Sequence, residues 1–163
     1  MKLKFKYFGI FLCFAALLAA CKKDKFVDTF DYEAQYKTDT TAIRSFVVTN
    51  SIPAVKDSAT GIFYQVLAPG TGTVVYKYNT QITANYVGKL LNGTTFDSTA
   101  VGAPMTQLLG NLIPGFQFGI LKIQKGGKIR VLVPSGYAYG NRALGKIPAN
   151  SVLDFTIDLV DAL

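Results

Sequence analysis

The sequence predicts an α+β domain in which an antiparallel sheet of about five strands wraps one short helix. Beyond residue 60, apolar residues alternate along several short segments that end at glycine, proline or an Asn-Gly pair. This pattern is typical of strands joined by tight turns. Only one stretch of that region, between Pro114 and Gly127, carries apolar residues at helical spacing. Successive strands with a single helix favour an antiparallel sheet packed on that helix.

The strand pattern recurs along the second part of the chain, and turn-forming residues separate its segments. Apolar residues alternate from Ile62 to Val66, and the pattern stops at Pro69. The Asn92-Gly93 pair predicts a tight hairpin between two strands. The predicted extended segments are 62–68, 80–91, a strand that begins near Phe96, 104–110, 128–136 and 151–163.

The single helical pattern begins at Pro114, because the first helical position needs no backbone N–H. Phe116, Ile120 and Ile123 then follow at helical spacing. The glycine at position 126 and its neighbour Gly127 are the expected C-terminal stop. We therefore predict one short helix inside this domain.

The first 21 residues have the pattern of an export signal. Three lysines precede an apolar run over residues 7–20, which is too short to span a bilayer comfortably. The run ends in Leu-Ala-Ala-Cys, which resembles a bacterial lipobox, so we predict a signal peptide over 1–20 and lipidation of Cys21. An uncleaved membrane anchor, or a plain secretory signal with a chance cysteine, is the alternative. Either way, part of the net charge of +7 belongs to targeting.

A lipidated Cys21 predicts attachment to a membrane of the bacterial cell envelope. Lys22 follows it, rather than the aspartate associated with inner-membrane retention in enterobacteria, so the outer membrane is favoured. Which face of that membrane carries the protein stays open. The remaining lysines are scattered and form no run interleaved with aromatic residues, so nucleic-acid binding is not expected.

The segment 21–60 is predicted to connect the lipid to the domain at 61–163. Residues 22–30 are charged and have no sustained apolar period, so they form a tether. Within 31–50, five apolar residues fall on one helical face: Tyr32, Tyr36, Ile43, Phe46 and Val47. Asp28 and Thr29 are candidate N-caps, and "SIP" would end the helix. A partly ordered linker is the alternative. The helix could pack on the domain or form a homodimer with a second copy.

Several function classes are excluded by the residues that are missing. The chain has no histidine, and both cysteines, Cys13 and Cys21, lie near its start. This excludes histidine acid–base chemistry, Ser-His triads and the commonest metal ligand. The glycines after Pro69 do not complete a dinucleotide-binding pattern, and Ile129 stands where a phosphate-binding loop needs Ser or Thr. No metal and no cofactor are expected.

Five segments, in order, resemble the FKBP-type peptidyl-prolyl cis-trans isomerases. Residues 85–99 contain Tyr-x-Gly and Gly-x-x-Phe-Asp-Ser, and residues 112–134 contain Ile-x-Gly-Phe. Residues 137–140 are Tyr-Ala-Tyr-Gly, residues 147–151 are Ile-Pro-x-x-Ser, and residues 153–163 are the last predicted strand. With the lipobox and spacer, the layout is similar to lipid-anchored forms in Gram-negative bacteria. The resemblance implies a half-wrapped antiparallel sheet of five to six strands around one short α-helix. It also implies X–Pro isomerisation in exported, proline-containing polypeptides, and possible binding of rapamycin-type macrolides.

The resemblance assigns roles around a proline pocket between the helix and the sheet. The residues it implies for catalysis are Tyr86, Phe96, Asp97, Ile113, Phe116, Tyr139 and Phe155. The residues it implies for substrate binding are Met105, Leu112 and Ile147. By the same resemblance, the Ile113 N–H and the Tyr139 hydroxyl would meet substrate carbonyls. Phe116 stands where the family usually has Trp, Met105 where a Phe is usual, and Lys146 where an apolar rim residue is common.

Each of these residues also has a plainer interpretation. The phenylalanines could be core, Tyr86 and Tyr139 ordinary strand and loop aromatics, and Asp97 a turn residue. The partner of Asp97 is open: Tyr86, Arg142 or none. Rotation about an X–Pro bond makes and breaks no covalent bond, so an aromatic pocket without nucleophile or metal suits it. The rival function is a non-catalytic module that holds proline-containing segments, as a chaperone or as a subunit of an envelope complex.

Overall fold

The computed structural model describes residues 30–163, which contain two α-helices and seven strands. The predicted signal peptide, Cys21 and the candidate caps Asp28 and Thr29 lie outside the described residues. The helices are α1 (Tyr32–Thr49) and α2 (Pro114–Ile120). The strands are β1 (Val55–Lys56), β2 (Phe63–Ala68), β3 (Gln81–Leu90), β4 (Thr95–Ser98), β5 (Met105–Leu108), β6 (Lys128–Val133) and β7 (Leu153–Ala162).

The strands form one antiparallel sheet in the order β1-β2-β6-β7-β3-β4. The long strand β3 pairs along its whole length with β7, and on its other side with β5 first and β4 second. The α+β prediction is confirmed. Seven strands replace the expected five to six because β1 is a two-residue pair with β2, which is too short to leave a periodic pattern.

Helix α2 begins at Pro114, as predicted, but it ends at Ile120 and not at the glycine pair. After it, the N–H groups of Lys122 and Ile123 donate to carbonyls three residues earlier, in tighter turns than those of an α-helix. The Gln124 N–H donates to the carbonyl of Pro69, and the Gly127 N–H donates to Gln124. Ile123 stays buried although it has left the helix. The helical spacing therefore marked burial correctly and overestimated the length of the helix.

The sheet buries a different hydrophobic cluster on each face, because successive residues of a strand point to opposite sides. The inner cluster packs against α2, and its buried members are Ile62, Ile82, Ala84, Leu109, Phe116, Ile120, Ile123, Ile129, Val131, Val133, Ile147, Leu153, Phe155, Ile157, Leu159 and Ala162. The outer cluster packs against α1, and its buried members are Ile43, Val47, Ile52, Phe63, Leu132 and Val152.

Helix α1 covers the outer face of the sheet, and residues 31–163 form one compact unit. Asp31 caps α1 by accepting a hydrogen bond from the Ala34 N–H at 2.9 Å, in place of the predicted caps at positions 28 and 29. On the predicted apolar face, Ile43 and Val47 are buried, whereas Tyr32 is exposed. The segment is thus a helix that packs on the domain. No helix within residues 30–163 combines the length and hydropathy of a membrane span.

Candidate active site

Four aromatic rings from four different elements meet on the inner face of the sheet. Tyr86 comes from β3, Phe96 from β4, Phe116 from α2 and Phe155 from β7. The centroid of Phe155 lies 5.6 Å from those of Phe96 and Phe116, and Tyr86 lies 5.6 Å from Phe116. The three pairs are nearly perpendicular, an edge-to-face geometry that adds about 0.5–1.5 kcal/mol per pair beyond burial. Phe116 and Phe155 form a buried base, and Tyr86 and Phe96 rise around it half-exposed.

Gly88 makes this arrangement possible, and the sequence interpretation did not assign it a role. It lies opposite Phe155 in the β3–β7 register and is buried. A Cβ at Gly88 would come within 2.5 Å of the Phe96 ring and 2.9 Å of the Phe155 ring. The signal was available in the Tyr-x-Gly motif, where the glycine follows Tyr86 on the same face of the strand.

Asp97 is held by Tyr86. The Tyr86 hydroxyl donates to Asp97 Oδ2 at 2.5 Å, and the Ser98 N–H donates to Asp97 Oδ1 at 2.9 Å. Arg142 is exposed, and among residues 30–163 it makes no ion pair. Of the three alternatives for Asp97, the structure therefore selects the tyrosine.

The surroundings raise the pKa of both tyrosine hydroxyls of the site, so they stay protonated further into the alkaline range. Burial raises the pKa of Tyr86 most, and the hydrogen bond to Asp97 and the charge of Asp97 raise it further. Burial also raises the pKa of Tyr139, with a smaller contribution from the charge of Asp97. Tyr139 therefore lies within electrostatic reach of the Tyr86–Asp97 pair, as a neutral hydrogen-bond donor.

Two donors at the site have no acceptor within the described part of the chain: the Tyr139 hydroxyl and the Ile113 N–H. Ile113 is the N-cap of α2, with φ −59° and ψ 147°, and its carbonyl accepts from the Phe116 and Gln117 N–H groups. Gln117 also donates from its side chain to the Leu112 carbonyl at 2.7 Å. The start of α2 is thus held through its carbonyls, while the Ile113 N–H remains available.

The loop between β6 and β7, residues 135–150, is held by its own backbone hydrogen bonds, and we call it the roof of the site. Leu144 and Ile147 exchange two backbone hydrogen bonds of 2.8 Å, and the Asn150 N–H closes the loop on the Gly140 carbonyl at 2.8 Å. Ile147 is buried in the inner cluster, deeper than the rim position implied by the resemblance, whereas Lys146 is exposed. The hydrogen bonds make this glycine-rich stretch a defined loop.

The remaining predicted site residues lie around the same cluster. Met105 opens β5 opposite Ala84, and both Met105 and Leu112 are half-buried against the inner cluster. Each predicted site residue other than Cys21 is therefore on the inner face or beside it. No group of three metal-binding side chains occurs within residues 30–163.

The chain matches the sequence model of the family described as "FKBP-type peptidyl-prolyl cis-trans isomerase" over residues 72–160, which is more than half of its length. It belongs to that family. The matched span contains every predicted pocket residue, from Tyr86 to Phe155. Helix α1 and the strands β1 and β2 lie before the matched span.

Relatives of the FKBP family in bacteria are similar in sequence and structure. The chain is 39% identical over 113 residues to the isomerase FkpA of Buchnera aphidicola, covering 69% of this chain and 45% of that protein. The crystal structure of FkpA from Escherichia coli covers 99% of this chain and 75% of that chain, with a TM-score of 0.65 and 28% identity. A peptidyl-prolyl isomerase structure from Pseudomonas syringae covers 77% of this chain and 94% of its own, at a TM-score of 0.64 and 31% identity. The chain spans less than half the length of the FkpA sequences it matches.

Proposed function

We propose that this protein is a peptidyl-prolyl cis-trans isomerase that accelerates X–Pro isomerisation in proline-containing, exported polypeptides. The main support is the aromatic cluster of Tyr86, Phe96, Phe116 and Phe155. Two hydrogen-bond donors without an acceptor lie beside it, the Ile113 N–H and the Tyr139 hydroxyl. Membership of the FKBP family over the same residues supports it.

The cluster fits the physical demands of the reaction. Rotation about the peptide bond faces a barrier of about 18–20 kcal/mol, because the planar amide must lose its resonance. An apolar surface of Phe116 and Phe155 binds the proline ring and withdraws the amide from water, which disfavours its more polar planar form. The Ile113 N–H and the Tyr139 hydroxyl hold substrate carbonyls while the bond twists. Asp97 accepts from Tyr86 and thereby fixes that ring at the wall.

The test compares Phe116→Ala with Phe118→Ala in a chain of residues 22–163, which contains the whole compact unit. Both residues lie on α2, but Phe118 packs against Tyr64, 5.6 Å away, outside the four-ring cluster. We expect Phe116→Ala to lower kcat/KM for a short X–Pro peptide by about tenfold or more, since the base of the pocket is lost. Phe118→Ala should lower it by less than about twofold. Equal losses would contradict the pocket assignment.

The alternative function, a binding module without catalysis, predicts a different result in the same assay. A wild-type chain that binds a proline-containing peptide with no rate above background would favour the chaperone or envelope-subunit function. Tyr139→Phe and Asp97→Ala separate the two further, because a catalytic donor affects kcat, whereas uniform binding affects KM alone.

A rapamycin-type macrolide is the expected competitor for the same surface. Its binding requires the apolar base and the Ile113 N–H, so it should inhibit the wild type and bind the Phe116→Ala variant at least about tenfold more weakly. Calorimetric titration of both chains measures this. Binding that is unaffected by Phe116→Ala would place the macrolide elsewhere on the molecule.

We further propose that the protein is a lipoprotein of the bacterial cell envelope, cut before Cys21 and anchored by an acylated cysteine. The proposal rests on the lysines, the apolar run and the Leu-Ala-Ala-Cys motif of the sequence. Mass spectrometry of the native N-terminus should find a diacylglyceryl-modified Cys21, and Cys21→Ser should move the protein from the membrane to the soluble fraction. Fractionation of inner and outer membranes tests the favoured outer-membrane location.

A homodimer through residues 31–50 stays a prediction. The apolar face of α1, with Ile43 and Val47, is already buried against the protein's own sheet. A dimer would therefore use the exposed side of α1, around Val48. Sedimentation velocity of residues 22–163 and of a Val48→Glu variant measures whether such a dimer forms.

A further inference from the structure

A buried carboxylate outside the four-ring cluster joins α1 to the roof of the site. Asp39 of α1 is 2% exposed. Its Oδ2 atom accepts hydrogen bonds from the Ser135 N–H and from the Ser135 hydroxyl, both at 2.7 Å. Its Oδ1 atom accepts from the Gln35 side chain, also at 2.7 Å. Both oxygens are thus engaged, and hydrogen bonds to a carboxylate are among the stronger ones in proteins.

Ser135 begins the 3₁₀ turn Ser135–Tyr137, whose own N-cap residue, Pro134, supplies no side-chain acceptor. The first N–H groups of a helical turn need an acceptor from elsewhere. Asp39 supplies it from a position 96 residues earlier in the chain. A side chain of α1 therefore caps the turn that leads into the roof.

The Ser135 carbonyl in turn holds the backbone on both sides of Tyr139. It accepts hydrogen bonds from the N–H groups of Ala138 and Gly140, both at 2.9 Å. These two residues flank Tyr139 on either side. The position of Ser135 therefore sets the backbone of Tyr139, whose side chain packs against the inner cluster beside Tyr86 and Phe116.

We propose that Asp39 is a positioning residue for Tyr139, through which helix α1 sets the activity of the site. The inference rests on the proposed isomerase function. It gives α1 a second role besides covering the sheet, although the helix lies before the residues matched by the family. The alternative is that Asp39 only holds α1 in place; activity, a double-mutant cycle and hydrogen exchange distinguish the two roles.

The first experiment compares Asp39→Ala with Asp31→Ala in the chain 22–163. Both substitutions remove a carboxylate that accepts a backbone N–H: Asp31 accepts from Ala34 within α1, whereas Asp39 accepts from Ser135 of the roof. We expect Asp39→Ala to lower kcat/KM for an X–Pro peptide by about tenfold, since the donor is misplaced. Asp31→Ala should leave it within about twofold. Asp39→Asn keeps one acceptor oxygen and should fall between them.

A double-mutant cycle tests whether the effect passes through Tyr139. If Asp39 acts by placing that hydroxyl, Asp39→Ala should lower kcat/KM by less than about twofold in a Tyr139→Phe background, where the hydroxyl is already absent. A general loss of folded structure would lower the rate by the same factor in both backgrounds. An equal factor therefore overturns the proposal.

Amide hydrogen exchange tests, without an activity assay, whether Asp39 holds the backbone of the roof in place. The N–H groups of Ala138 and Gly140 should exchange at least about tenfold faster in Asp39→Ala than in the wild type or in Asp31→Ala. Unchanged exchange at both amides would overturn the proposal even if the enzyme is active. A wild type that is inactive would end the proposed function, while faster exchange would still establish that Asp39 holds the roof.

Discussion

Gly88 shows how a single residue decides the shape of the aromatic site. Phe96 and Phe155 approach each other over the backbone of β3, and their rings occupy the space that a side chain at position 88 would need. Tyr86 lies two residues earlier on the same face and contacts both buried rings. At the residue scale, therefore, the site depends as much on an absent side chain as on the aromatic ones.

Gly88→Ala should disrupt this contact. Its Cβ would lie 2.5 Å from the Phe96 ring, so that ring or the strand must move, which costs about 1–3 kcal/mol of stability. We expect kcat/KM to fall about tenfold or more as Phe96 leaves the wall. The control is Gly136→Ala, where a Cβ would meet no atom within 4 Å. Urea unfolding and the peptide assay measure both variants, and similar effects in the two would contradict this account.

Tyr86 predicts a pH dependence of stability. Its pKa in the folded protein is raised above the unfolded value of 10.0, mainly by burial and then by Asp97. The protonated phenol's contribution is therefore complete below about pH 10 and is lost as the pH rises through the raised folded value. The free energy of unfolding should fall more steeply above about pH 10 in the wild type than in Tyr86→Phe. Parallel curves from urea titrations would contradict the prediction.

Two ion pairs join β6 to β7 and differ mainly in burial. Arg130 donates to both oxygens of Asp154 at 2.9 and 2.6 Å, and the Asp154 side chain is only 8% exposed. Lys128 pairs with Asp158 at 3.0 Å, with both side chains more than 40% exposed. Arg130 also lies 5.8 Å from the ring of Phe46 on α1. The Arg130–Asp154 pair therefore links β6 to β7 and, through Phe46, also contacts helix α1.

Asp154→Ala should therefore cost more stability than Asp158→Ala. Removing Asp154 leaves the partly buried guanidinium of Arg130 without its bidentate partner, and we expect a loss of about 2 kcal/mol. Removing Asp158 breaks an exposed pair, which contributes less than about 1 kcal/mol. Urea unfolding at neutral pH gives both values. A larger loss in Asp158→Ala would reverse the assignment.

The folded unit extends beyond residues 72–160, the part that matches the family model, because helix α1 packs on the same domain. Ile43 and Val47 complete the outer cluster with Phe63 and Leu132 of the sheet, on the face opposite the aromatic site. Asp39, on the same helix, reaches the roof of that site. The helix is therefore part of the folded unit: it packs on the outer cluster and is hydrogen-bonded to the turn that leads into the roof.

Ile43→Ala tests whether α1 and the sheet unfold together. Ile43 is fully buried, so its truncation should cost about 3 kcal/mol. A single cooperative transition should persist, monitored by circular dichroism and by tyrosine fluorescence. Val48→Ala on the same helix, where the side chain is 72% exposed, should change stability by less than about 0.5 kcal/mol. Two separate transitions would show α1 to be an independent spacer.

Local patterns in the sequence predicted most of the secondary structure, and the resemblance to the FKBP family supplied the residues of the aromatic cluster. Alternation placed the strands, because one face of each strand is buried. Pro114 marked the first residue of α2, because the N–H that proline lacks would have no partner within the helix at that position. Patterns of this kind report which face is buried and where a turn occurs. They do not report which distant segment covers that face.

The α+β class, the course of the strands and the family could be predicted without a structure, because they follow from periodicity and from motifs that are contiguous along the chain. Tertiary structure alone decided the partner of Asp97, the early end of α2 and the contact between Asp39 and Ser135, which lie 96 residues apart. Each depends on packing between separate segments. A buried polar group takes whichever partner the folded chain brings within hydrogen-bonding distance.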